Sequence, residues 1–177
     1  FLLDKNIKYL SNKEIKFIHT GVKKIVCNQS KTYLKKKYNI KNSKFVISFI
    51  GRHNYIKGYD ILIDVASRIS KTRNDIIFLI GGNQNKTTNY QLGNNCYEIG
   101  WCDPSEVLKI SDLFVLPNRQ TYFDLILLEA ISTGTPVIAS NTGGNKTIKK
   151  IIPELILYNQ GADKLYDEIL KTEFPVW

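Results

Sequence analysis

The sequence predicts an α/β protein built on a doubly wound parallel sheet. Two observations carry this prediction. Short continuous apolar segments of strand type alternate along the chain with segments in which apolar residues recur at helical spacing. Glycine, proline or asparagine residues separate many of these segments. Because right-handed crossovers join successive parallel strands through helices, such alternation places helices on both faces of one sheet.

The predicted elements begin with a helix after Ser30, a residue type that favours the N-cap, with Tyr33, Leu34 and Tyr38 facing inward. Apolar runs predict strands at residues 45–50, 76–80, 96–99, 113–116, 136–140 and 155–158. Helical spacing predicts helices after Gly58 and at residues 104–110, 122–132, 146–151 and 162–170. Residues 15–19 and 22–26 also have the composition of short strands.

The composition is that of a globular protein, because 43% of the 177 residues are apolar and no apolar run approaches the length of a membrane span. The sequence contains no signal-peptide pattern. Its three cysteines, Cys27, Cys96 and Cys102, are odd in number and lack metal-ligand spacing. We therefore expect free thiols in a reducing cytoplasm and no metal.

The net charge of +9 is concentrated in the first 50 residues, which carry 12 lysines against Asp4 and Glu14. Lys35, Lys36 and Lys37 lie on the first predicted helix. They indicate either a solvated helix face or a peripheral contact with an anionic membrane surface, at the inner face of the membrane. Nucleic acid is not an expected partner, because no recognition motif accompanies the lysines.

Residues 113–146 form the central unit, which reads as strand, polar turn, helix, strand and glycine-rich loop. In parallel sheets, ligands bind beyond the carboxyl ends of the strands, where helix N-termini favour anions. The turn at residues 117–121 lies at such an end. Gly143 and Gly144 would allow the backbone to approach a ligand closely, although an ordinary turn would use the same residues.

Glu129 interrupts an otherwise apolar helix and leans toward the helix N-terminus, where a ligand would lie. A buried carboxylate needs a partner. That partner is either a nearby lysine or the hydroxyl groups of a bound sugar. Thr121 and Asp124 have the spacing of a capping box, so we expect both side chains to cap the helix.

Arg52 and Lys57 follow the strand at residues 45–50 and lie in the loop at its carboxyl end. Two cations at this place could hold a diphosphate. Exposed surface charge is the alternative interpretation.

Taken together, these motifs resemble the C-terminal domain of group 1 retaining glycosyltransferases with the GT-B fold. The resemblance covers residues 22–170. It rests on Gly51-Arg52 with Lys57-Gly58, Gly100-Trp101, residues 117–123, Leu128-Glu129-Ala130, residues 134–139 and Gly143-Gly144. It implies that residues 22–177 form a Rossmann-like domain that binds a nucleotide-sugar donor. Residues 1–21 would then connect to a preceding domain that binds the acceptor across a cleft.

The resemblance also implies roles for individual residues. Arg52 and Lys57 match the pair that grips the donor diphosphate and stabilises the departing phosphate, which makes them the expected catalytic residues. Glu129 matches the carboxylate that binds the ribose hydroxyls. The expected donor-binding residues are Gly51, Arg52, Lys57, Thr121, Phe123, Asp124, Leu125 and Glu129. No cofactor or divalent metal is expected, since the two cations neutralise the leaving phosphate.

Two positions depart from the family pattern. Thr121 stands where the family often has a glutamate that contacts the sugar, and Asp124 stands where it usually has glycine. Because a second anion beside a diphosphate is unfavourable, we predict that the Asp124 carboxylate faces its own helix start. A carboxylate that lines the cleft would contradict this prediction.

The implied function is transfer of a sugar from a UDP- or GDP-sugar to a glycan or lipid-linked acceptor, in the synthesis of a surface polysaccharide. Two alternatives remain open. A sugar-nucleotide epimerase of the same fold would need a carboxylate or histidine base facing the sugar, and His53 is the only histidine near the expected site. A non-catalytic partner that only binds nucleotide sugars is compatible with Thr121.

Overall fold

The computed structural model describes residues 21–42, 44–83 and 91–172. The strands in these residues are β1 (Phe45–Ile50), β2 (Ile76–Gly81), β3 (Cys96–Gly100), β4 (Leu113–Leu116), β5 (Val137–Ser140) and β6 (Ile156–Tyr158). The helices are α1 (Lys31–Lys37), α2 (Tyr59–Ser70), α3 (Pro104–Ile110), α4 (Leu125–Ser132), α5 (Asn145–Ile151) and α6 (Ala162–Lys171).

The six strands form one parallel sheet in the order β3-β2-β1-β4-β5-β6, which confirms the predicted doubly wound fold. The chain runs outward from β1 through β2 to β3 and then returns to the centre at β4. The strand order therefore reverses between β1 and β4, where Ile47 pairs with Leu113 and Ser48 with Phe114. A crevice at the carboxyl ends of two such strands is the usual ligand site of this architecture.

Side chains of β4 show why the sheet is covered on both faces. Leu113 and Val115 pack into one core cluster with residues of α2 and α6, including Leu62 and Leu165. The intervening residues Phe114 and Leu116 join a second cluster with residues of α3, α4 and α5. Because successive side chains of a strand point to opposite faces, a strand that is apolar throughout must be buried on both faces.

The predicted boundaries hold within two residues for most elements, and the differences have local causes. Residues 22–26 are not a strand, and residues 15–19 lie outside the described part of the chain. In α1, Ser30 caps the helix as predicted by accepting a bond from the Tyr33 amide. Leu34 is fully buried, whereas Tyr33, predicted to face inward, is 54% exposed because it lies about 100° around the helix from Leu34.

The domain boundary at residue 21 stays a prediction, because residues 1–20 lie outside the described residues. Within the described residues, no helix is long and apolar enough to cross a membrane.

The lysines of α1 do not form a uniformly solvated face. Lys35 is buried, and its Nζ donates to the carbonyl oxygens of Asn42 at 3.0 Å and Lys44 at 2.9 Å. Lys37 pairs with Glu106 at 2.5 Å, and Lys36 is exposed. The solvated-face interpretation is therefore wrong for Lys35. Attraction to an anionic membrane stays a prediction, and six of the lysines that would contribute lie in residues 1–21 or at exposed positions before α1.

Replacing Lys35 with alanine is expected to lower the free energy of unfolding by about 1–2 kcal/mol, because the two carbonyl groups lose a charged donor. Lys36→Ala, at the neighbouring exposed position, is the matched control and should change stability by less than about 0.5 kcal/mol. Urea denaturation of both variants measures the difference. Equal midpoints for the two variants would contradict the structural role of Lys35.

Candidate functional site

A cavity of about 710 Å³ lies at the carboxyl edge of the sheet. It is bordered by the segments that follow β1, β2 and β3 and by the start of α4. Its lining residues are Ile50, Gly51, Arg52, Lys57, Gly82, Asn83, Trp101, Cys102, Pro104, Asp124 and Ile126. The cavity thus adjoins the point at which the strand order reverses.

A larger cavity of about 820 Å³ lies at the opposite edge, lined by residues 24–31 and by residues 132–136 before β5. Its charged lining residues are Lys24, Lys31 and Lys109, and Lys31 is paired with Asp112 at 2.6 Å. We assign the functional site to the cavity at the carboxyl edge, because ligands of parallel sheets bind there.

Arg52 is the first side chain beyond Gly51 at the end of β1, and it is exposed at the cavity. Its backbone is well held, because the Gly51 amide donates to Gly81 and the His53 amide to Asn83 at 3.1 and 3.0 Å. These bonds continue the β1–β2 pairing past the strand ends. Within the described residues, no carboxylate forms an ion pair with Arg52, so its guanidinium is available to an anionic ligand.

Lys57 lines the same cavity, but its ammonium group is already paired. Its Nζ donates to Asp124 Oδ2 at 2.6 Å, and Asn118 Nδ2 donates to the same oxygen at 2.7 Å. The side chains of Lys57 and Asp124 are only 19% and 12% exposed. The structure therefore brings Gly51, Arg52, Lys57 and Asp124 to one cavity.

The predicted orientation of Asp124 is wrong. Asp124 occupies the N-cap position of α4, but its side chain makes no capping hydrogen bond and lines the cavity instead. Two bonds to one carboxylate oxygen, one of them from an ammonium, outweigh a single cap bond. The capping box is also wrong for Thr121, which is buried four residues before the helix starts at Leu125.

Glu129 is half-buried in the second turn of α4. Burial, and then the negative charge of Asp124, raise the pKa of its carboxyl group. Among the described residues, no lysine or arginine forms an ion pair with Glu129, which disfavours the interpretation of a lysine partner. Glu129, Thr121, Phe123 and Leu125 are not among the residues that line the cavity.

Gly143 fixes the loop after β5 against the loop after β4. Its φ is +46°, and a Cβ atom at this position would lie 1.7 Å from the carbonyl oxygen of Thr121. Glycine is thus required here because the loop after β5 packs directly against the backbone of the loop after β4. This packing accounts for the glycine without a ligand.

Arg119 holds the polar turn after β4 against α2. Its guanidinium donates to both carboxylate oxygens of Asp60 at 2.5 and 2.6 Å, and it lies 3.8 Å from the ring centroid of Tyr55. Burial disfavours the charged form of Asp60, but the bonds from Arg119 prevail, and the pKa of Asp60 is lowered. This turn precedes Asp124, so the Arg119–Asp60 pair helps to position the cavity wall.

Two contributors to the site were not assigned from the sequence. Asn118, fully buried after β4, orients Asp124, and its carbonyl oxygen accepts a bond from the Ser140 hydroxyl at 2.6 Å. Trp101 follows β3, lines the cavity and is 86% exposed. The Gly100-Trp101 pair was a visible signal in the sequence, whereas nothing marked Asn118.

His53 faces the core and does not line the cavity. It is 2% exposed, and its ring stacks on Tyr59 with 4.2 Å between the ring centroids. Its Nδ1 lies 3.4 Å from Glu98 Oε1 without hydrogen-bond geometry. Burial lowers the pKa of His53 more than the Glu98 charge raises it. This position removes His53 as the base of an epimerase.

The part of the chain that the structure describes contains no group of three histidine, cysteine, aspartate or glutamate side chains placed to hold a metal ion.

Comparison with known proteins decides the family. The sequence model of the family described as "Glycosyl transferases group 1" matches residues 30–167. The chain belongs to this family. The resemblance to group 1 glycosyltransferases that the sequence motifs predict is thereby confirmed.

Relatives of this glycosyltransferase domain include N-acetyl-alpha-D-glucosaminyl L-malate synthase of Bacillus anthracis. The two sequences are 28% identical over 153 residues, which cover 82% of this chain and 38% of the relative. A UDP-Gal:alpha-D-GlcNAc-diphosphoundecaprenol alpha-1,3-galactosyltransferase of Escherichia coli is 32% identical over 156 residues, covering 80% of this chain and 40% of the relative. The chain thus spans about two fifths of the length of these relatives.

Solved structures share the fold. Anabaena HepE in complex with UDP superposes with a TM-score of 0.75 at 20% identity, over 88% of this chain and 46% of HepE. The C-terminal domain of the group 1 protein LpcC from Francisella tularensis gives a TM-score of 0.67 at 17% identity, over 85% of this chain and 86% of that domain.

Proposed function

We propose that this chain is the donor-binding half of a retaining glycosyltransferase. The enzyme would transfer a sugar from a nucleotide-diphosphate sugar to a glycan or lipid-linked acceptor in surface polysaccharide synthesis. One observation carries the proposal: Arg52, Lys57 and the amino end of α4 share a single cavity where the strand order reverses.

The amino end of α4 supports diphosphate binding in addition to the two cations. The N-cap side chain makes no bond to the helix, which leaves the amides of Leu125 and Ile126 to a ligand, whereas the Leu127 amide already donates to the Asp124 carbonyl oxygen at 3.1 Å. Amides at a helix N-terminus favour anions. The backbone from Phe123 to Leu125 would then face the phosphates, and Gly51 would allow them to approach the end of β1.

The size and lining of the cavity suit a nucleotide sugar. Its volume of about 710 Å³ falls within the range typical of small-molecule sites. Trp101 presents an exposed aromatic face on which a nucleobase would stack. Glu129, with no cationic partner among the described residues, would accept hydrogen bonds from the ribose hydroxyls.

The expected reaction breaks the bond between the anomeric carbon and the diphosphate oxygen. The acceptor hydroxyl forms the new bond on the same face of the sugar, and its proton passes to an oxygen of the leaving phosphate. Negative charge develops on that phosphate, and Arg52 and Lys57 would neutralise it without a metal ion. Retention of configuration follows from attack on the face that the phosphate leaves.

The names of similar proteins favour a uridine nucleotide. The Escherichia coli relative is named for a UDP-galactose donor, and HepE has been solved with UDP and with UDP-glucose. A GDP-sugar remains the second donor class.

Calorimetric titration tests the proposal directly. The panel consists of UDP, GDP, UDP-glucose, UDP-galactose and GDP-mannose, each with Mg²⁺ and with EDTA. We expect one nucleotide class to bind with equal affinity in both buffers. Failure of the folded protein to bind any member of the panel would refute the proposal.

Glu129→Gln is expected to weaken binding of the preferred nucleoside diphosphate by about tenfold, because a charged acceptor is replaced by a neutral one. The 2′,3′-dideoxy form of the same nucleotide is the control ligand. It should bind the wild type and Glu129→Gln equally, since it has no ribose hydroxyls to contact. An equal loss with both nucleotides would show that Glu129 acts on something other than the ribose.

A non-catalytic nucleotide-sugar binding protein is the second candidate. It is favoured by Thr121, which replaces the sugar-contacting glutamate and is buried away from the cavity lining. Both candidates bind the donor, so binding does not distinguish them. Sugar transfer by a protein that also contains the acceptor-binding half would support the transferase.

A further inference from the structure

The Lys57–Asp124 pair lies inside the cavity assigned to the donor diphosphate. Both side chains are largely buried, and their charged atoms are 2.6 Å apart. Arg52, by contrast, is exposed and has no ion-pair partner within the described residues. The cavity therefore contains one available cation and one that an internal carboxylate already occupies.

We infer that Asp124 competes with the donor diphosphate for Lys57 and thereby sets the affinity of the site. The inference rests on the proposed donor binding. A diphosphate that bonds to Lys57 must either separate the ammonium from Asp124 or share it with a carboxylate of the same charge sign. A phosphate and a carboxylate that both contact one ammonium group lie close together, and like charges this close repel strongly in a partly buried site. Either route lowers affinity relative to a site without the carboxylate.

Asn118 makes the separation feasible. Its amide donates to Asp124 Oδ2 at 2.7 Å, independently of Lys57. When the lysine turns toward a phosphate, the carboxylate keeps this bond and is not left buried without a partner. The Asp124 carboxylate thus keeps a hydrogen-bond partner both with and without the ligand.

The charge of Asp124 also reaches the expected ribose contact. After burial, it is the second cause of the raised pKa of Glu129. Asp124 therefore opposes negative charge at a neighbouring position of α4, and a diphosphate in the cavity that Asp124 lines would experience the same effect.

The backbone permits a clean test. Asp124 has φ −99° and ψ 110°, an extended conformation open to any residue. Asp124→Asn keeps the size and one acceptor oxygen for the bonds from Lys57 and Asn118, but it removes the charge. We expect it to bind UDP about tenfold more tightly than the wild type. Asp163→Asn is the matched control: Asp163 pairs with Arg68 at 2.5 Å on α6 and α2, does not line the cavity, and should leave affinity unchanged.

A double-mutant cycle with Lys57→Ala separates competition from simple repulsion. If Asp124 competes for Lys57, Lys57→Ala should reduce UDP affinity more in the Asp124→Asn protein than in the wild type. In the wild type, Lys57 must first break its bond to Asp124 and therefore contributes less to binding. Equal losses in both backgrounds would overturn the inference. Unchanged or weaker UDP binding by Asp124→Asn would overturn it as well, while leaving donor binding intact.

Asp124→Gly, the residue usual in the family, is the second variant should Asp124→Asn fail to fold. Circular dichroism and thermal unfolding establish that each variant is folded. If the folded wild type and all variants bind neither UDP nor GDP, the proposed function itself fails and the inference fails with it. If the wild type binds UDP but neither Asp124 variant binds it more tightly, the inference is refuted and the proposed function is not.

Discussion

Replacing Arg52 with alanine is expected to weaken UDP binding by roughly 100-fold, since a guanidinium forms two parallel charge-assisted bonds to a phosphate. The reason lies in the state of the two cations. Lys57 is paired with Asp124, whereas Arg52 is exposed at the cavity without an ion-pair partner among the described residues. Arg52 should therefore contribute its full interaction with the diphosphate. Isothermal titration measures the change.

Arg52→Lys and Arg68→Ala are the controls for this experiment. Lysine keeps the charge but not the planar fork, so we expect an intermediate loss of affinity. Arg68 is a half-exposed arginine, but it lies on α2 and pairs with Asp64 and Asp163 away from the cavity. Its removal should not change UDP affinity. A loss for Arg68→Ala as large as that for Arg52→Ala would mean that net charge, not a contact, determines binding.

Replacing Gly58 with alanine is expected to destabilise the protein by about 4 kcal/mol or more. Single substitutions have effects of this size only where they create a specific structural conflict. Gly58 has φ +67°, and a Cβ atom there would lie 1.9 Å from the carbonyl oxygen of Pro117. That carbonyl belongs to backbone and cannot turn aside as a flexible side chain would. The loop carrying Lys57 and the loop after β4 would have to separate. Chemical denaturation measures the loss.

Gly134→Ala isolates the clash from the conformational strain. Gly134 has φ +76°, similar to Gly58, but nothing lies within 4 Å of its Cβ position. Gly134→Ala should lower the free energy of unfolding by only about 1 kcal/mol, which is the strain of alanine in the left-handed region. Similar losses for the two variants would contradict the argument that close packing of the two loops requires Gly58.

The sequence contains enough information to predict the sheet, because strands buried on both faces must be apolar throughout. The runs at β1, β2 and β4 therefore stand out from the alternating pattern of exposed strands. The loop with Arg52 and Lys57 and the loop before α4 both follow carboxyl ends of parallel strands. They are therefore predicted to lie at the same edge of the sheet, where ligands bind. Both cations indeed line one cavity.

Asp124 could not be predicted in the same way. A capping box is a local pattern, whereas the bond that decides its orientation comes from Lys57, 67 positions earlier in the chain. The same holds for Lys35, whose burial depends on carbonyl groups of the loop that follows α1. In both cases a polar contact between segments overrides a preference that short-range spacing would suggest.

The pairing of Arg119 with Asp60 has a consequence for the kinetics of ligand capture. Arg119 lies in the turn beside the cavity and would count, in the sequence, as a third cation for an incoming anion. Because Asp60 pairs with Arg119 at 2.5 Å and Asp124 pairs with Lys57, Arg52 is the cation at the mouth, among the described residues, that has no carboxylate partner. Long-range attraction of a diphosphate then comes from the net charge of +9 spread over the chain and not from these paired cations, so discrimination among anions arises after contact.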